Sequence, residues 1–281
     1  MSTQSWTEII DNKKPLFKLG LDEVWRYRDL LILLVRRDFV AAYKQTVLGP
    51  LWFFVQPLLT TVTFTIIFGN IAKLPTAGVP PMLFYLSGLT LWGYFADCLT
   101  KTSSVFRDNA AVFGKVYFPR VIMPLSVVIS NLFRLVIQAC LFIAFWIYYK
   151  SQGATISIGG GIWLLPVMIL VMGLLGLGAG LVISALTTKY RDLSFLVTFL
   201  VQLLMYATPV IYSVAAVPVQ YRALILLNPV APIIEAFRSV SLGGSEFHLG
   251  YFIYSVLFSV LLLFIGLWVF NRVEKSFMDT V

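Results

Sequence analysis

Residues 162–187 read IWLLPVMILVMGLLGLGAGLVISALT, and no charged side chain interrupts this run. A helix needs about 20 consecutive apolar residues to cross the hydrocarbon core of a bilayer, so this run is long enough for one crossing. The rest of the chain has the same character: 59% of its 281 residues are hydrophobic, 12% are charged, and the mean hydropathy is +0.88. Soluble domains carry roughly 25% charged residues. The composition therefore predicts a membrane protein and excludes an ordinary soluble domain.

Further apolar runs lie on both sides of this stretch, at 48–71, 82–102, 121–149, 193–212 and 250–271. Each is long enough to cross a bilayer as a helix. We therefore predict an all-α polytopic membrane protein with six transmembrane helices. Residues 1–47 would form an N-terminal cytoplasmic segment, residues 48–272 the membrane domain, and residues 273–281 a short cytoplasmic tail.

The segment between the last two runs is apolar but interrupted, by Pro218, Pro229, Pro232, Gly243 and Gly244. No unbroken piece of it is long enough to cross the membrane. Irregular backbone at membrane depth is tolerated only against protein or a water-filled cavity. The sequence therefore predicts two short re-entrant or surface helices here.

Residues 22–44, DEVWRYRDLLILLVRRDFVAAYK, place apolar side chains three and four positions apart, with Arg and Asp between them. That spacing is typical of an amphipathic helix. Its apolar run is too short to cross a bilayer and its flanks are basic, which favours a helix lying in the headgroup plane on the cytoplasmic side. A helix on a small soluble domain is the alternative.

The 21 Lys and Arg residues are unevenly distributed along the chain. With the N-terminus inside, sixteen of them lie on segments predicted to be cytoplasmic, four lie outside, and Arg134 lies within a span. Because cytoplasmic loops of membrane proteins are enriched in basic residues, both termini are predicted to be cytoplasmic, in a bacterial inner membrane. The N-terminal segment lacks the apolar run and cleavage site of a signal peptide. Its carboxylates argue against a nucleic-acid surface.

The sequence offers no pattern of catalytic or metal-binding residues. His248 is the single histidine, and Cys98 and Cys140 lie in apolar surroundings without the spacing of a disulfide framework or a metal site, so both are predicted to be buried. The chain lacks G-x-x-x-x-G-K-[ST], the phosphate-binding loop of ATPases. We expect a permease subunit without a cofactor of its own and not an enzyme; ATP and Mg would belong to a partner ATPase.

The predicted cytoplasmic loop at 101–120, KTSSVFRDNAAVFGKVYFPR, contains a short helical pattern that a serine begins and Gly114 ends. Two aromatic residues with flanking charges suit a helix that docks in another protein's groove. A turn that is merely capped for stability is the alternative. The candidate coupling residues are Ser104, Phe106, Arg107, Asp108, Asn109, Phe113 and Lys115.

Asn131, Arg134 and Gln138 lie three and four positions apart within the third span and share one helix face. A charge at mid-membrane depth usually faces protein or water, so this stripe is a candidate substrate pathway; pairing of Arg134 with Asp97 for packing is the alternative. Aromatic residues make up 15% of the chain. They would either form belts at the two membrane interfaces or line a pathway along which a sugar chain slides. The candidates for such a lining are Tyr85, Trp92 and Trp146.

Two small-scale patterns complete the membrane segments. Gly176 and Gly180 form a G-x-x-x-G pair, which lets helix backbones approach closely and is weaker as a sign of dimerisation. Glu235 and Arg238 lie three positions apart and would form a local ion pair that orders the outer re-entrant helix.

Five segments in order resemble the type-2 ABC exporter permeases that move polysaccharide or polyol-phosphate chains such as O-antigen, capsule and teichoic acid. They are RRDFVAAYKQTVLGPLW at 36–52, the loop 101–120, TKYRDL at 188–193, TPVIY at 208–212 and NPVAPIIEAFR at 228–238. The resemblance covers nearly the whole chain. It implies a homodimer of six-helix subunits that bind two copies of a separate nucleotide-binding ATPase and export a lipid-linked glycan.

The resemblance also implies roles for particular residues. The cytoplasmic interface would include Arg36, Arg37, Lys44, Tyr190, Arg191 and Asp192, and the outer gate Tyr212, Asn228, Glu235 and Arg238. A small-molecule exporter of the same type is the nearest alternative. A proton-coupled transporter is disfavoured by the scarcity of acidic residues at mid-membrane depth, and a membrane enzyme by the absence of a carboxylate pair or histidine cluster.

Overall fold

A computed structural model describes residues 21–44, 46–109, 112, 118–190, 192–243 and 247–277, and in this part of the chain the regular structure is helical. The α-helices, in chain order, are α1 (Leu21–Arg26), α2 (Arg28–Tyr43), α3 (Trp52–Phe64), α4 (Pro81–Ser103), α5 (Val105–Asp108), α6 (Ile122–Ser151), α7 (Leu165–Lys189), α8 (Leu193–Tyr206), α9 (Val219–Leu226), α10 (Val230–Leu242) and α11 (Leu249–Phe277). A π-helical stretch, Thr65–Ile71, extends α3. The prediction of an all-α chain is confirmed.

Four helical segments are long and apolar enough to cross a membrane: Gly49–Ile71, Ile122–Ser151, Ile162–Thr187 and Leu249–Arg272. A fifth is counted if α9 and α10, which meet at a bend of 104°, form one broken span. The count of six predicted from the sequence is not reached on these criteria. Helix α4 is long enough, but its polar residues, among them Asp97, lower its mean hydropathy. Helix α8 is too short, because the backbone leaves the helix after Tyr206, before Pro209.

Helix α7 packs between α4 and α11, and its glycines permit the close approach. A Cβ atom on Gly176 would lie 2.7 Å from the Cβ of Cys98, and one on Gly180 would lie 2.5 Å from the Cβ of Thr102. These distances are shorter than a van der Waals contact. The G-x-x-x-G pair therefore packs helices of one chain against each other, as its packing interpretation predicts.

Helix α4 lies at the centre of the larger hydrophobic core, with most of its side chains buried by α7, α10 and their neighbours. A second cluster joins α2, α5, the start of α6 and the second halves of α7 and α11. In that cluster the rings of Phe106 and Phe270 stack with their centroids 4.5 Å apart. The two clusters mark the two ends of the bundle, which we name the α2 end and the α10 end.

The predicted amphipathic segment 22–44 forms α1 and α2, which Tyr27 separates. Leu34 and Val35 are buried against the bundle, whereas Ile32 and Leu33 are 63% exposed. Cys140 is exposed on α6, so the prediction that it is buried is wrong. The apolar neighbours of Cys140 did not distinguish an exposed position from a buried one, because a helix face in contact with lipid is as apolar as one in contact with the protein core.

Candidate functional site

The α10 end is organised around Arg238, which is 1% exposed and makes five hydrogen bonds. Its guanidinium donates to the carbonyl oxygens of Pro209 at 2.6 Å, Val210 at 2.7 Å and Phe84 at 3.3 Å, to the Ser87 hydroxyl at 3.3 Å and to the Glu235 carboxylate at 3.3 Å. The planar guanidinium carries five N–H donors in a rigid fork, so one side chain satisfies groups on several segments. Arg238 thus fastens α10 to α4 and to the 208–212 turn.

The ring of Phe84 and the absence of a side chain at Gly88 complete this arrangement. The guanidinium carbon lies 3.7 Å from the ring centroid of Phe84, within the range of a cation–π contact. A Cβ atom on Gly88 would lie 2.6 Å from Nη2 of Arg238 and 2.9 Å from the carbonyl oxygen of Val210. Only glycine therefore fits at that position of α4. We refer to Phe84, Ser87, Gly88, Pro209, Val210, Glu235 and Arg238 as the Arg238 junction.

Two further hydrogen bonds connect the segments 208–212 and 228–238, which carry part of the family resemblance. The side-chain amide of Asn228 donates to the Thr208 hydroxyl at 2.8 Å, and its oxygen accepts from the backbone N–H of Val230 at 3.1 Å. The hydroxyl of Tyr212 donates to the carbonyl oxygen of Tyr206 at 3.3 Å. The four residues predicted for an outer gate therefore lie at the α10 end, and the predicted Glu235–Arg238 pair forms.

The 152–161 connection covers the other side of α10. The N–H of Gly159 donates to the carbonyl oxygen of Val240 at 2.8 Å, and the indole N–H of Trp146 donates to the carbonyl oxygen of Ser241 at 3.0 Å. Twelve of the thirteen residues of α10 are buried. By contrast, α9 buries none, and Arg222 bonds only to carbonyl oxygens of its own segment, those of Ala215 and Val217.

Arg134, the arginine that lies within a predicted span, is nearer the α2 end. Its Nη1 is 2.6 Å from the Asp97 carboxylate on α4, and its Nη2 is 3.3 Å from the side-chain oxygen of Gln56 on α3. Nε of Arg134 is buried without a hydrogen-bond partner. The pairing with Asp97, which the sequence left open as an alternative, is thus present. Asn131, one turn away, accepts a 2.8 Å hydrogen bond from the ammonium of Lys101.

Of the remaining candidate pathway residues, two are enclosed by the chain itself. Tyr85 is fully buried and Trp92 is 5% exposed, both in the larger core around α4. Helix α4 is a central helix, so these aromatic rings fill the core of the chain in this structure, and their place in a substrate pathway stays a prediction. Gln138 is also buried, at 7% exposed, and Trp146 is partly buried at its bond to Ser241.

A cavity of about 490 Å³ opens at the α2 end, between α2, α3, the end of α4, the turn after α5 and α6. Its wall includes Arg37 and Asp38 of α2, whose side chains pair at 2.8 Å. Nη2 of Arg37 also lies 3.4 Å from the side-chain oxygen of Asn109. The cavity therefore lies directly beside the segment that is predicted to couple to a partner.

That coupling segment begins with the short helix α5. The Ser104 hydroxyl donates to the Asp108 carboxylate at 2.5 Å, and Nε of Arg107 lies 3.0 Å from the same carboxylate. The ring of Phe106 is 1% exposed against Phe270, so it anchors the segment inside the chain and is not presented to a partner as the sequence suggested. Phe113 and Lys115 lie outside the described residues.

The sequence profile of ABC-2 type transporters matches residues 29–242 of this chain. The chain belongs to the ABC-2 type transporter family. The O-antigen export system permease protein RfbA of Klebsiella pneumoniae is 28% identical over 253 residues, which cover 89% of this chain and 94% of that protein. RfbA of Myxococcus xanthus is 30% identical over 220 residues, which cover 78% and 82%. The capsule polysaccharide export inner-membrane protein CtrC of Neisseria meningitidis is 24% identical over 253 residues, which cover 86% and 90%.

Most of the residues predicted as a cytoplasmic interface are accessible in the structure. Arg36, Arg37 and Lys44 are exposed on or just after α2, and Tyr190, at the end of α7, is 52% exposed. Asp192 is exposed as well, and Arg191 lies outside the described residues. The accessible members of this set leave a polar surface at the α2 end of this ABC-2 type transporter chain.

The sequence pointed to one partner of each arginine, Glu235 for Arg238 and Asp97 for Arg134, and gave no sign of the others. Ser87, Gly88 and the carbonyl oxygens of the 208–212 turn surround Arg238, and Gln56 reaches Arg134 from α3. A serine and a glycine one position apart in an apolar helix gave no distinctive signal. The prolines of TPVIY and NPVAP did mark irregular backbone, and it is such backbone that leaves carbonyl oxygens free to accept from an arginine.

Proposed function

We propose that this chain is the membrane-spanning subunit of an ATP-driven exporter of lipid-linked polysaccharide, powered by a separate ATPase. The observation that carries the proposal is the match to O-antigen export permeases along nearly their full length, 94% in the Klebsiella pneumoniae protein. The 208–212 and 228–238 segments, which carry part of the family resemblance, meet at the Arg238 junction. O-antigen and capsule polysaccharide are the substrate classes that the relatives' names give.

The proposed arrangement in the membrane is six helices per subunit, with α4 and α8 added to the four apolar spans and both termini cytoplasmic. Helix α4 has the length of a span, and neighbouring helices bury its Ser87, Thr90, Thr102 and Ser103 side chains. We propose a homodimer, in which the exposed apolar faces of α3 and α8 meet the second copy. Phe195, at 81% exposed, and Phe199, at 57%, lie on that face of α8.

The α2 end is proposed as the contact with the ATPase. Helix α5, the exposed charges of α2 and Tyr190 form a polar surface there. The stacking of Phe106 on Phe270 ties α5 to the end of α11, so a push on α5 would be transmitted to a long helix. A partner that contacts this surface differently before and after ATP binding would bias the helices between two arrangements.

Deleting the gene in its host and supplying it from a plasmid tests the function. We expect the deletion strain to lose surface polysaccharide and to accumulate lipid-linked glycan inside the cell, and the plasmid to restore export. Surface glycan is measured by immunostaining of intact cells, and the intermediate by lipid extraction. Unchanged surface glycan together with sensitivity to a small toxic compound would instead support a small-molecule exporter and contradict the proposal.

Charge reversal tests the coupling role of α5. Arg107 is exposed beside Asp108 on α5, so Arg107→Glu leaves the core untouched while opposing the charge of a docked partner. We expect about tenfold less export and less co-purified ATPase at an unchanged amount of chain in the membrane. Lys73→Glu is the matched control, because Lys73 is also an exposed cation and lies in the loop before α4, away from the α2 end. Equal export from both variants would remove the coupling role.

A further inference from the structure

The cavity at the α2 end has one apolar and one polar wall. Phe39 and Phe53 stack with their ring centroids 6.0 Å apart on the apolar side. The polar side includes Lys101, Ser130 and Asn131. Its volume, about 490 Å³, falls in the range of roughly 300–1,000 Å³ that small-molecule sites occupy. A lipid headgroup with the first part of its acyl chains has the same two halves.

Exposed apolar residues continue from this cavity along the outside of the bundle. Trp52 is 46% exposed on α3, and Phe133 is 52% exposed on α6, where its ring lies 6.0 Å from that of Phe39. In a membrane these side chains face acyl chains. A lipid whose head enters the cavity would therefore keep its tails in contact with apolar side chains.

The two carboxylates that line the cavity already have cationic partners. Asp38 is 2.8 Å from Arg37, and Asp108 is 3.0 Å from Arg107. Arg134, a further cation of the wall, is neutralised by Asp97 at 2.6 Å.

Lys101 differs from these residues. The hydrogen bond that the structure records for its ammonium goes to the neutral side-chain oxygen of Asn131, at 2.8 Å. An ammonium has three N–H donors, so two remain for another partner. Among the described residues that line the cavity, Lys101 is therefore the cation whose charge no carboxylate within ion-pair distance offsets.

Two other groups of the wall have unmet hydrogen-bonding capacity. The hydroxyl of Ser130 and Nε of Arg134 are buried without a partner. Buried polar groups without partners are rare because they carry a free-energy penalty. A phosphate group presents several strong acceptor oxygens, and N–H and O–H donors are the groups from which it accepts.

We propose that this cavity binds the phosphate group of a lipid headgroup, with Lys101 as its principal cation and Asn131 as the residue that positions Lys101. The site rests on the geometry of the cavity. The identity of its physiological occupant, the lipid that carries the glycan, rests on the proposed function. Such a site would hold the head of the lipid carrier beside the helix α5 that the ATPase is proposed to move.

Native mass spectrometry of the detergent-purified chain measures the binding directly. The probes are dioleoyl phosphatidic acid, a polyprenyl monophosphate and dioleoylglycerol, which has the same acyl chains as the first but no phosphate. We expect saturable binding of both phosphorylated lipids and at least tenfold weaker binding of dioleoylglycerol, which corresponds to the loss of a charge-assisted contact. Equal binding of phosphatidic acid and dioleoylglycerol would overturn the proposal.

Variants of Lys101 locate the binding. Lys101→Gln removes the charge and keeps the length of the side chain, and we expect it to weaken phosphatidic acid binding about tenfold. Lys101→Arg keeps the charge and should retain binding. Lys73→Gln is the matched control, because Lys73 is an exposed lysine in the loop before α4, at the other end of that helix. Thermal unfolding of each variant verifies that it is folded. Equal weakening in Lys73→Gln and Lys101→Gln would contradict the site.

Inorganic phosphate, added as a competitor, separates a lipid site from a site for the free anion. Failure of equimolar phosphate to displace phosphatidic acid supports the lipid, and displacement at equal concentration overturns it. Tighter binding of the polyprenyl monophosphate supports the glycan carrier as the occupant, and tighter binding of phosphatidic acid rejects it. The assay involves no export, so its failure leaves the proposed function standing, and loss of the proposed function leaves a measured lipid site standing.

Discussion

Arg238 and Arg134 both lie within the helical bundle, and the structure accommodates their charges in different ways. Arg238 is surrounded on every side: three carbonyl oxygens, a hydroxyl and a carboxylate accept its hydrogen bonds, and only 1% of it is exposed. Arg134 pairs with Asp97 and Gln56, its side chain is 25% exposed, and Nε has no partner.

The difference indicates which of the two charges is structural. An arginine whose donors are all satisfied by backbone and side chains of three segments fixes those segments relative to one another. Arg134 lines a cavity, and its Nε–H has no hydrogen-bond partner, so it is able to donate a hydrogen bond to a ligand that enters the cavity. The α10 end is thus built as a fixed junction, and the α2 end, with its cavity, is the place where a ligand or a partner would act.

The largest expected effect is the loss of Arg238. Arg238→Ala removes the side-chain donor of the Pro209 and Val210 carbonyl oxygens and the cation of the buried Glu235, and removal of one partner from a buried pair typically costs about 3–5 kcal/mol. We expect a strongly reduced amount of folded chain in the membrane, and a thermal unfolding temperature in detergent that falls well below that of the unaltered chain.

Arg238→Lys and Arg222→Ala make this prediction decisive. Lysine keeps the charge but has three donors in place of a planar fork, so Arg238→Lys should be intermediate in stability. Arg222 also bonds to two carbonyl oxygens, but both belong to its own exposed segment, and its replacement should cost about 1 kcal/mol or less. If Arg238→Ala were no less stable than Arg222→Ala, the α10 end would not be the fixed part of the molecule.

The next effect in size concerns the space for the guanidinium. A methyl group at Gly88 would lie 2.6 Å from Nη2 of Arg238, so Gly88→Ala must displace either the arginine or the 208–212 turn. Forcing extra atoms into a packed site costs typically about 1–3 kcal/mol. Gly93→Ala is the matched control on the same helix, since no atom lies within 4 Å of its added Cβ and alanine favours the helix. Thermal unfolding should therefore separate the two in opposite directions; equal stability of the two variants would show that the junction yields easily.

Much of this organisation was predictable from the sequence where a residue pattern has a local cause. The apolar runs predicted the helices, the spacing within 22–44 predicted α1 and α2, and the three-residue separation of Glu235 and Arg238 predicted their pair. The glycines of α7 predicted close helix packing. In each case the interaction is set by residues near one another in the chain or by the period of a helix.

What the sequence did not reveal depends on which face of a helix meets which neighbour. Tyr85 and Trp92 appeared suited to a pathway, yet α4 is central and buries them. Phe106 suited a docking helix, yet it stacks on Phe270, more than a hundred residues away in the chain. Cys98 and Cys140 have equally apolar neighbours in the sequence, yet Cys98 is buried and Cys140 is exposed. Apolar surroundings do not distinguish lipid from core, because both are equally apolar.

The smallest expected effect concerns the Asp97–Arg134 pair near the α2 end. Asp97 and Arg134 are both part exposed, at 31% and 25%, and pairs of that kind contribute about 1 kcal/mol or less. A double-mutant cycle with Asp97→Asn and Arg134→Gln, followed by thermal unfolding, isolates the pairwise term. We expect a coupling of about 1 kcal/mol, well under the loss at Arg238. A coupling as large as the effect of Arg238→Ala would mean that Arg134 is as firmly fixed as Arg238, and the α2 end would then lack the adaptable charge that distinguishes it from the α10 end.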